Sequence, residues 1–77
     1  MTLKIISAEQ IEFEGEVELV SLPGVLGAFT VLNNHASITS VLTAGTIEYA
    51  QNGSRTSMQI DGGLVDVDNN VVSVCLY

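Results

Sequence analysis

The chain has 77 residues, of which 47% are hydrophobic and 14% charged, so it is long enough for one folded domain and too apolar to be disordered. Two basic and nine acidic residues give a formal net charge of −7, which disfavours binding to nucleic acid or to anionic lipid. One cysteine and one histidine supply neither an internal disulfide nor a closed zinc site, so we expect no metal and no cofactor.

The first 20 residues contain a clear strand pattern. Apolar and acidic side chains alternate, with Ile11, Phe13, Val17 and Leu19 on one face and Glu12, Glu14, Glu16 and Glu18 on the other. Because strand side chains point alternately to opposite faces, this pattern predicts half-buried strands with a solvated acidic face. Gly15 interrupts the row and predicts a bend or bulge. The apolar phase changes at Val20 and Leu22, which predicts a second bulge or a strand covered on both faces.

The stretch from Leu22 to Leu42 contains the only proline and the only histidine of the chain. Its composition predicts, in order, a tight turn at Pro23-Gly24, an apolar strand through Phe29 and Leu32, a polar tip at Asn33-Asn34-His35 and a return strand that ends at Leu42. Apolar residues surround the predicted turn, where an isolated domain would normally have polar ones. Exposed apolar patches often mark protein contacts, so this stretch is a candidate interaction surface.

Turn signals recur through the rest of the chain at Ala44-Gly45, Asn52-Gly53, Asp61-Gly62-Gly63 and Asp68-Asn69-Asn70. No segment keeps the apolar spacing of a helix, and β-branched residues are frequent. Turns about eight to twelve residues apart are typical of sandwiches and barrels. We therefore expect an all-β fold, a small antiparallel β-sandwich of about eight to ten short strands that forms a single domain over residues 1–77. Because large rings are few, small β-branched residues must fill its core.

The sequence contains no constellation typical of catalysis. His35 is the only side chain suited to proton transfer near neutral pH, and no nucleophile or orienting carboxylate is spaced to accompany it. The Asp66-x-Asp68-x-Asn70 run begins like a calcium loop, but Val71 and Tyr77 stand where that loop needs glycine and glutamate. We expect no catalytic residue, no cofactor site and no metal site. From the residues alone, the chain is an acidic interaction module.

The pattern L-P-G-x-x-G-x-[apolar]-x-V-L-x-x-H-A-x-[apolar]-x-x-x-L, which runs from Leu22 to Leu42, resembles that of a known family. The family is the epsilon subunit of F-type ATP synthases, and the resemblance is to its N-terminal β-sandwich domain. The Leu3 to Ser7 strand, the Phe13-x-Gly15-x-Val17 run and the Gly62 to Val67 run follow in the family's order. The chain departs from the family at Asn33-Asn34, where Pro-Gly is usual.

The resemblance implies a rotor subunit of the central stalk, without a catalytic site of its own. It would bind the gamma subunit and the c-ring and couple proton or sodium translocation to ATP synthesis. Its expected place is the cytoplasmic face of the bacterial inner membrane, as a peripheral part of the complex with no direct membrane insertion, no nucleic-acid partner and no functional homo-oligomer. The family's C-terminal pair of helices has no counterpart in the sequence, so we carry over neither inhibition nor nucleotide binding.

The resemblance also suggests which residues touch each partner. Expected c-ring contacts are Leu26, Ala28, Phe29, Asn33, Asn34 and His35, and expected gamma-subunit contacts are Ser40 and Leu42. Many family members have an acidic residue at the position of Ala28. The alternative function, which the residues leave open, is a stand-alone β-sandwich adaptor or a small-ligand-binding domain. A pocket lined by His35 and acidic residues would favour ligand binding, and a filled interior with an apolar surface patch would favour the stalk subunit.

Overall fold

The computed structural model describes residues 1–77, and its regular structure consists of nine β-strands. In chain order they are β1 Thr2–Ile6, β2 Ile11–Glu16, β3 Leu19–Gly24, β4 Gly27–Leu32, β5 Ile38–Leu42, β6 Gly45–Gln51, β7 Ser54–Ile60, β8 Gly63–Asp68 and β9 Val71–Leu76. This confirms the all-β sandwich that the sequence predicts. No helix of the length and hydrophobicity needed to cross a bilayer is present.

The strands form one continuous, curled sheet in the order β2-β1-β9-β8-β5-β3-β6-β7, and β4 pairs with β3 beside this path. The pairing between β5 and β3 narrows to one residue pair, Leu42 with Gly24, so the sheet folds over at that point. All pairs are antiparallel except β1 with β9. The fold therefore has two layers, β2-β1-β9-β8-β5 and β4-β3-β6-β7, which share one core.

The core contains fifteen buried apolar residues from both layers. They are Met1, Leu3, Ile5, Val17, Val20, Leu22, Val31, Leu42, Ile47, Tyr49, Ile60, Val65, Val67, Val72 and Val74. Seven are valines and three are isoleucines, so β-branched side chains fill most of the interior, as expected from the scarcity of aromatic residues. No buried side-chain nitrogen or oxygen lacks a hydrogen-bond partner.

The change of apolar phase before Val20 has a simple cause. Strand β2 ends at Glu16, and Val17 and Glu18 lie outside the strands while the chain crosses from one layer to the other. In β3 the buried positions are therefore the even-numbered ones, Val20, Leu22 and Gly24. The predicted bend at Gly15 is wrong, because Gly15 pairs in regular register with Leu3, and the register shift lies between Ile5 and Ile6. A β-carbon at Gly15 would lie 3.1 Å from the Phe13 ring, so that ring occupies the space above the glycine.

The predicted turn at Pro23-Gly24 is also wrong. Both residues belong to β3, and the chain reverses two residues later at Val25-Leu26, with Gly24 paired to Gly27. Gly27 has a φ of 132°, which few other residues adopt, and this glycine makes the tight reversal possible. Pro23 has no amide hydrogen to donate, and its carbonyl accepts a hydrogen bond from the Thr43 amide at 2.8 Å.

The asparagine turns form as the sequence predicts. Asn52-Gly53 and Asn69-Asn70 each have positive φ at both central residues, which is the backbone of a type I′ hairpin turn. Asn34, in the polar loop after β4, also has a positive φ. In each case a short amide side chain tolerates a conformation that a branched residue would resist.

Candidate functional site

The turn between β3 and β4 is the most exposed apolar feature of the molecule. We call Val25 to Ala28 the hairpin tip. Leu26 is 100% exposed and Val25 is 52% exposed, and Gly27 and Ala28 are exposed as well. The Val25 amide donates a hydrogen bond to the Val41 carbonyl at 3.0 Å, so the tip is tied to the neighbouring strand. The tip is a fixed apolar projection, which suits contact with another protein.

Phe29 has a different place from the rest of the predicted c-ring set. Its ring is partly buried against the core and covers Gly24, where a β-carbon would lie 2.9 Å from the ring. A ring in this position stabilises the β3–β4 pair by packing. Phe29 therefore supports the hairpin tip from beneath, and replacing it would alter the fold as well as any contact.

The polar loop after β4 is held to the body of the domain by its asparagines. The Oδ1 atom of Asn33 accepts a hydrogen bond from the Met1 α-ammonium at 2.8 Å, and the Asn34 amide donates to Asn70 Oδ1 at 2.8 Å. These bonds join the loop to the chain start and to the β8–β9 turn. The two asparagines thus give the loop its shape, and His35 is exposed beside them.

His35 borders an open cleft of about 440 Å³, lined by Asn34, His35, Ala36, Ser37, Asp68, Asn69 and Asn70. Its Nδ1 lies 2.7 Å from the Ala36 carbonyl, and because a carbonyl only accepts, Nδ1 is the donor of this hydrogen bond. The Asp68 carboxylate already accepts a hydrogen bond from Ser37 at 2.9 Å. Small-ligand sites are usually deeper and mostly apolar. This open, polar cleft therefore gives little support to the ligand-binding alternative.

The predicted c-ring residues lie at two ends of one hairpin. Strand β4 separates the hairpin tip from the loop that contains His35, and its six residues span roughly 17 Å at the usual rise per residue. A flat surface placed across the strand ends can therefore meet one end only. The sequence placed these residues close together along the chain, but pairing in the sheet holds them apart.

The two residues expected to face the gamma subunit both lie on β5. Leu42 is 2% exposed and belongs to the core, and Ser40 is half-buried on the same inward side. The outward positions of β5 are Thr39 and Val41. Any partner that covers this strand from outside meets those two side chains first.

Sequence reasoning missed an apolar row on the outside of the first layer. Val41 pairs with Leu64, and Leu64 pairs with Cys75, so three exposed side chains stand side by side across β5, β8 and β9. We call Val41, Leu64 and Cys75 the outer apolar row. The available signal was Leu64, because it alternates with the inward Val65 in a strand where an outward residue would ordinarily be polar.

Two glutamates of the predicted acidic face make structural contacts. The carboxylate of Glu18 accepts hydrogen bonds from the amides of Asn52 at 3.0 Å and Gly53 at 3.4 Å, so it binds the turn of the β6–β7 hairpin. The Thr2 hydroxyl donates to the Glu16 carboxylate, and this bond, aided by the Met1 ammonium 3.4 Å away, lowers the pKa of Glu16. Glu16 and Glu18 thus make hydrogen bonds within the fold in addition to their contact with water.

Comparison with known proteins gives a consistent result. Residues 1–76 match the family model described as "ATP synthase, Delta/Epsilon chain, beta-sandwich domain". The chain is 32% identical over 74 residues to an ATP synthase epsilon chain of Leptospira borgpetersenii, covering 96% of this chain and 58% of the relative. It is 37% identical over 73 residues to that of Desulfitobacterium hafniense, covering 95% and 55%. The chain thus spans somewhat more than half the length of the curated relatives it matches.

Solved structures share the fold. A chain of the Euglena gracilis mitochondrial ATP synthase, in a structure of OSCP, F1 and the c-ring, superposes with a TM-score of 0.90 at 22% identity, covering 96% of this chain and 48% of that one. A chain from the central stalk and c-ring of the Tetrahymena thermophila mitochondrial enzyme superposes with a TM-score of 0.81 at 13% identity, covering 97% and 61%. At these identities the likeness concerns the fold.

Proposed function

Because the chain belongs to the family of ATP synthase delta/epsilon-chain β-sandwich domains, we propose that it is a non-catalytic rotor subunit of an F-type ATP synthase, docked between the gamma subunit and the c-ring. In that place it couples proton or sodium translocation to ATP synthesis by transmitting rotation. The observation that carries the proposal is a family match over residues 1–76, nearly the whole chain. The proposed location is peripheral, on the cytoplasmic face of the bacterial inner membrane.

We assign the c-ring contact to the hairpin tip, chiefly Leu26 and Ala28. Both are exposed, and Leu26 is the most exposed large apolar side chain of the molecule. Phe29 supports this contact by packing under the tip. A fixed tip transmits force better than a mobile loop, and the hydrogen bond from the Val25 amide to the Val41 carbonyl holds this tip against β5.

We assign the gamma-subunit contact to the outer surface of β5 and its neighbours. Ser40 and Leu42 position this strand from within, and the outer apolar row gives it an exposed apolar strip. His35 and the loop shaped by Asn33 and Asn34 lie at the far end of β4 from the tip and beside the β8–β9 turn, so any partner contact there is separate from the tip and from the outer apolar row. Apolar burial flanked by polar groups is the usual anatomy of a stable protein interface.

The test is direct binding. The purified chain is mixed with a catalytic head that contains gamma and lacks its own epsilon subunit, and with a head assembled without gamma as the control. We expect co-elution on size exclusion only when gamma is present. A chain with a native β-sheet circular dichroism spectrum that fails to bind the gamma-containing head would contradict the proposal.

A further inference from the structure

Asn52, in the turn between β6 and β7, is the asparagine of this chain best placed to react with its own backbone. It is the only one of the five asparagines that is followed by glycine. When an asparagine loses its amide group spontaneously, the backbone nitrogen of the next residue attacks the side-chain carbonyl carbon, and a glycine presents no side chain to obstruct that attack. Asn52 and Gly53 are both exposed, and a β-carbon on Gly53 would have no atom within 4 Å. The reacting pair is thus open to water.

The side chain of Asn52 is also free to take part in such a reaction. The Oδ1 atom of Asn33 accepts a hydrogen bond from the Met1 α-ammonium, and the Oδ1 atom of Asn70 accepts one from the Asn34 amide. In Asn52 the hydrogen bond to a side chain is made by the backbone amide, and the side-chain amide has no partner within the chain. Its carbonyl carbon is therefore not held away from the backbone by another contact.

The Glu18 carboxylate opposes the reaction. It accepts hydrogen bonds from the backbone amides of Asn52 at 3.0 Å and Gly53 at 3.4 Å. The attack requires the Gly53 nitrogen to lose its proton, and a carboxylate is far too weak a base to take a proton from a backbone amide. A negative charge beside that nitrogen instead disfavours the amide anion, because like charges repel. Loss of the proton would also break the hydrogen bond to Glu18, so the folded turn resists the first step twice.

We propose that Asn52 is the site at which this chain deamidates, and that Glu18 keeps the reaction slow while the domain is folded. The Gly53 nitrogen gives its proton to water or hydroxide and forms a bond to Asn52 Cγ. The bond from Cγ to Nδ2 breaks, and Nδ2 leaves as ammonia with a proton from water, which yields a five-membered succinimide ring. Water then hydrolyses one of the two ring bonds between carbonyl carbon and nitrogen, to give aspartate or isoaspartate.

Either product loosens the β6–β7 turn. An aspartate places a second negative charge beside the Glu18 carboxylate, and an isoaspartate adds a methylene to a backbone that needs positive φ at both central residues. The turn lies at the opposite end of β3 from the hairpin tip, since Leu19 pairs with Ala50 while Gly24 pairs with Gly27. The modification therefore acts on the hairpin itself, apart from the proposed partner contacts, and does not depend on the proposed function.

The experiment incubates the full chain at neutral pH, folded or unfolded in concentrated urea, and measures aspartate and isoaspartate at each asparagine by mass spectrometry of peptides. The variants are Glu18→Gln and Glu18→Ala. One control, Glu14→Gln, makes the same change of charge at an exposed position of β2, and the other, Ile47→Val, destabilises the core by one buried methylene.

We expect Asn52 to be converted faster than any other asparagine, and about tenfold more slowly in the folded wild type than in urea. Glu18→Gln should raise the folded-state rate about fivefold and Glu18→Ala about tenfold, because the first variant removes the charge and the second also removes the acceptor. Both controls should stay within about twofold of the wild type.

Faster conversion at another asparagine of the folded wild type would refute the assignment to Asn52. Equal rates at Asn52 in the folded and unfolded chain, or wild-type rates in both Glu18 variants, would refute protection by the carboxylate. An acceleration by Ile47→Val as large as that by Glu18→Gln would show that opening of the whole domain governs the rate, and it would overturn the role of Glu18. None of these measurements depends on binding to the gamma subunit.

Discussion

At the residue scale, Glu18 shows how an acidic side chain that looks merely solvated becomes a structural group. Its carboxylate accepts the amides of Asn52 and Gly53, two donors that the β6–β7 turn leaves without backbone partners. Hydrogen bonds to a charged acceptor are stronger than neutral ones. Alternation with Val17 and Leu19 indicated an outward side chain, but the turn that Glu18 binds lies more than thirty residues away along the chain.

Glu18→Gln should therefore lower the free energy of unfolding by about 1 kcal/mol, since an amide oxygen is a weaker acceptor for the two turn amides. The measurement is urea denaturation followed by circular dichroism. Glu14→Gln is the control, because it makes the same change of charge on an exposed strand position opposite Lys4. Equal stability losses in the two variants would show that net charge, and not the turn contact, decides the effect.

At the scale of elements, the two hairpin turns that the sequence predicted correctly are determined by the residues within the turns themselves. Asn52-Gly53 and Asn69-Asn70 adopt positive φ because of their local chemistry, whatever surrounds them. Pro23-Gly24 has an equally turn-like composition, yet it is the end of a strand. Gly24 pairs with Gly27 on β4 and with Leu42 on β5, which lies eighteen residues later in the chain. These two pairings set the position at which the chain turns from β3 into β4.

A substitution at Gly63, the first residue of β8, would test how closely β8 and β9 approach each other. A β-carbon there would lie 2.4 Å from the Cys75 carbonyl oxygen, a backbone atom that cannot move without disturbing β9. Gly63→Ala should lower the free energy of unfolding by about 2–4 kcal/mol, because the ladder between β8 and β9 must open to admit the methyl group.

The control for Gly63→Ala is Gly15→Ala, measured by the same urea titration. Its β-carbon would meet the far end of the Phe13 side chain at 3.1 Å, a side-chain atom and not a backbone atom. We expect a loss below about 1 kcal/mol for this variant. Similar losses at both positions would mean that added side-chain volume, and not the clash with backbone, limits substitution in these strands.

At the scale of the whole molecule, stability rests on one small core. A domain of this length has a free energy of unfolding of about 4 to 12 kcal/mol. Ile47 is fully buried, and Ile47→Ala should cost about 2–5 kcal/mol, a large part of that total. Thermal unfolding measures the loss, and binding to a partner should recover part of the melting temperature by mass action.

Ile11→Ala is the matched control for the core, because the same atoms are removed from a side chain that is 55% exposed. The expected loss is below about 1 kcal/mol, since much of that surface stays in contact with water. A comparable drop in melting temperature for both variants would contradict a core confined to the two inner faces.

The sequence by itself determined the fold class, the family, the valine-rich core and the asparagine turns, since these follow from local alternation, local backbone preference and a continuous motif. Only the tertiary structure decided where β3 reverses, which ends of β4 the candidate contacts occupy, that Leu42 is interior and that Val41, Leu64 and Cys75 form a row. Those features depend on register between strands far apart in the chain, and a shift of one residue would turn each strand's side chains to the opposite face.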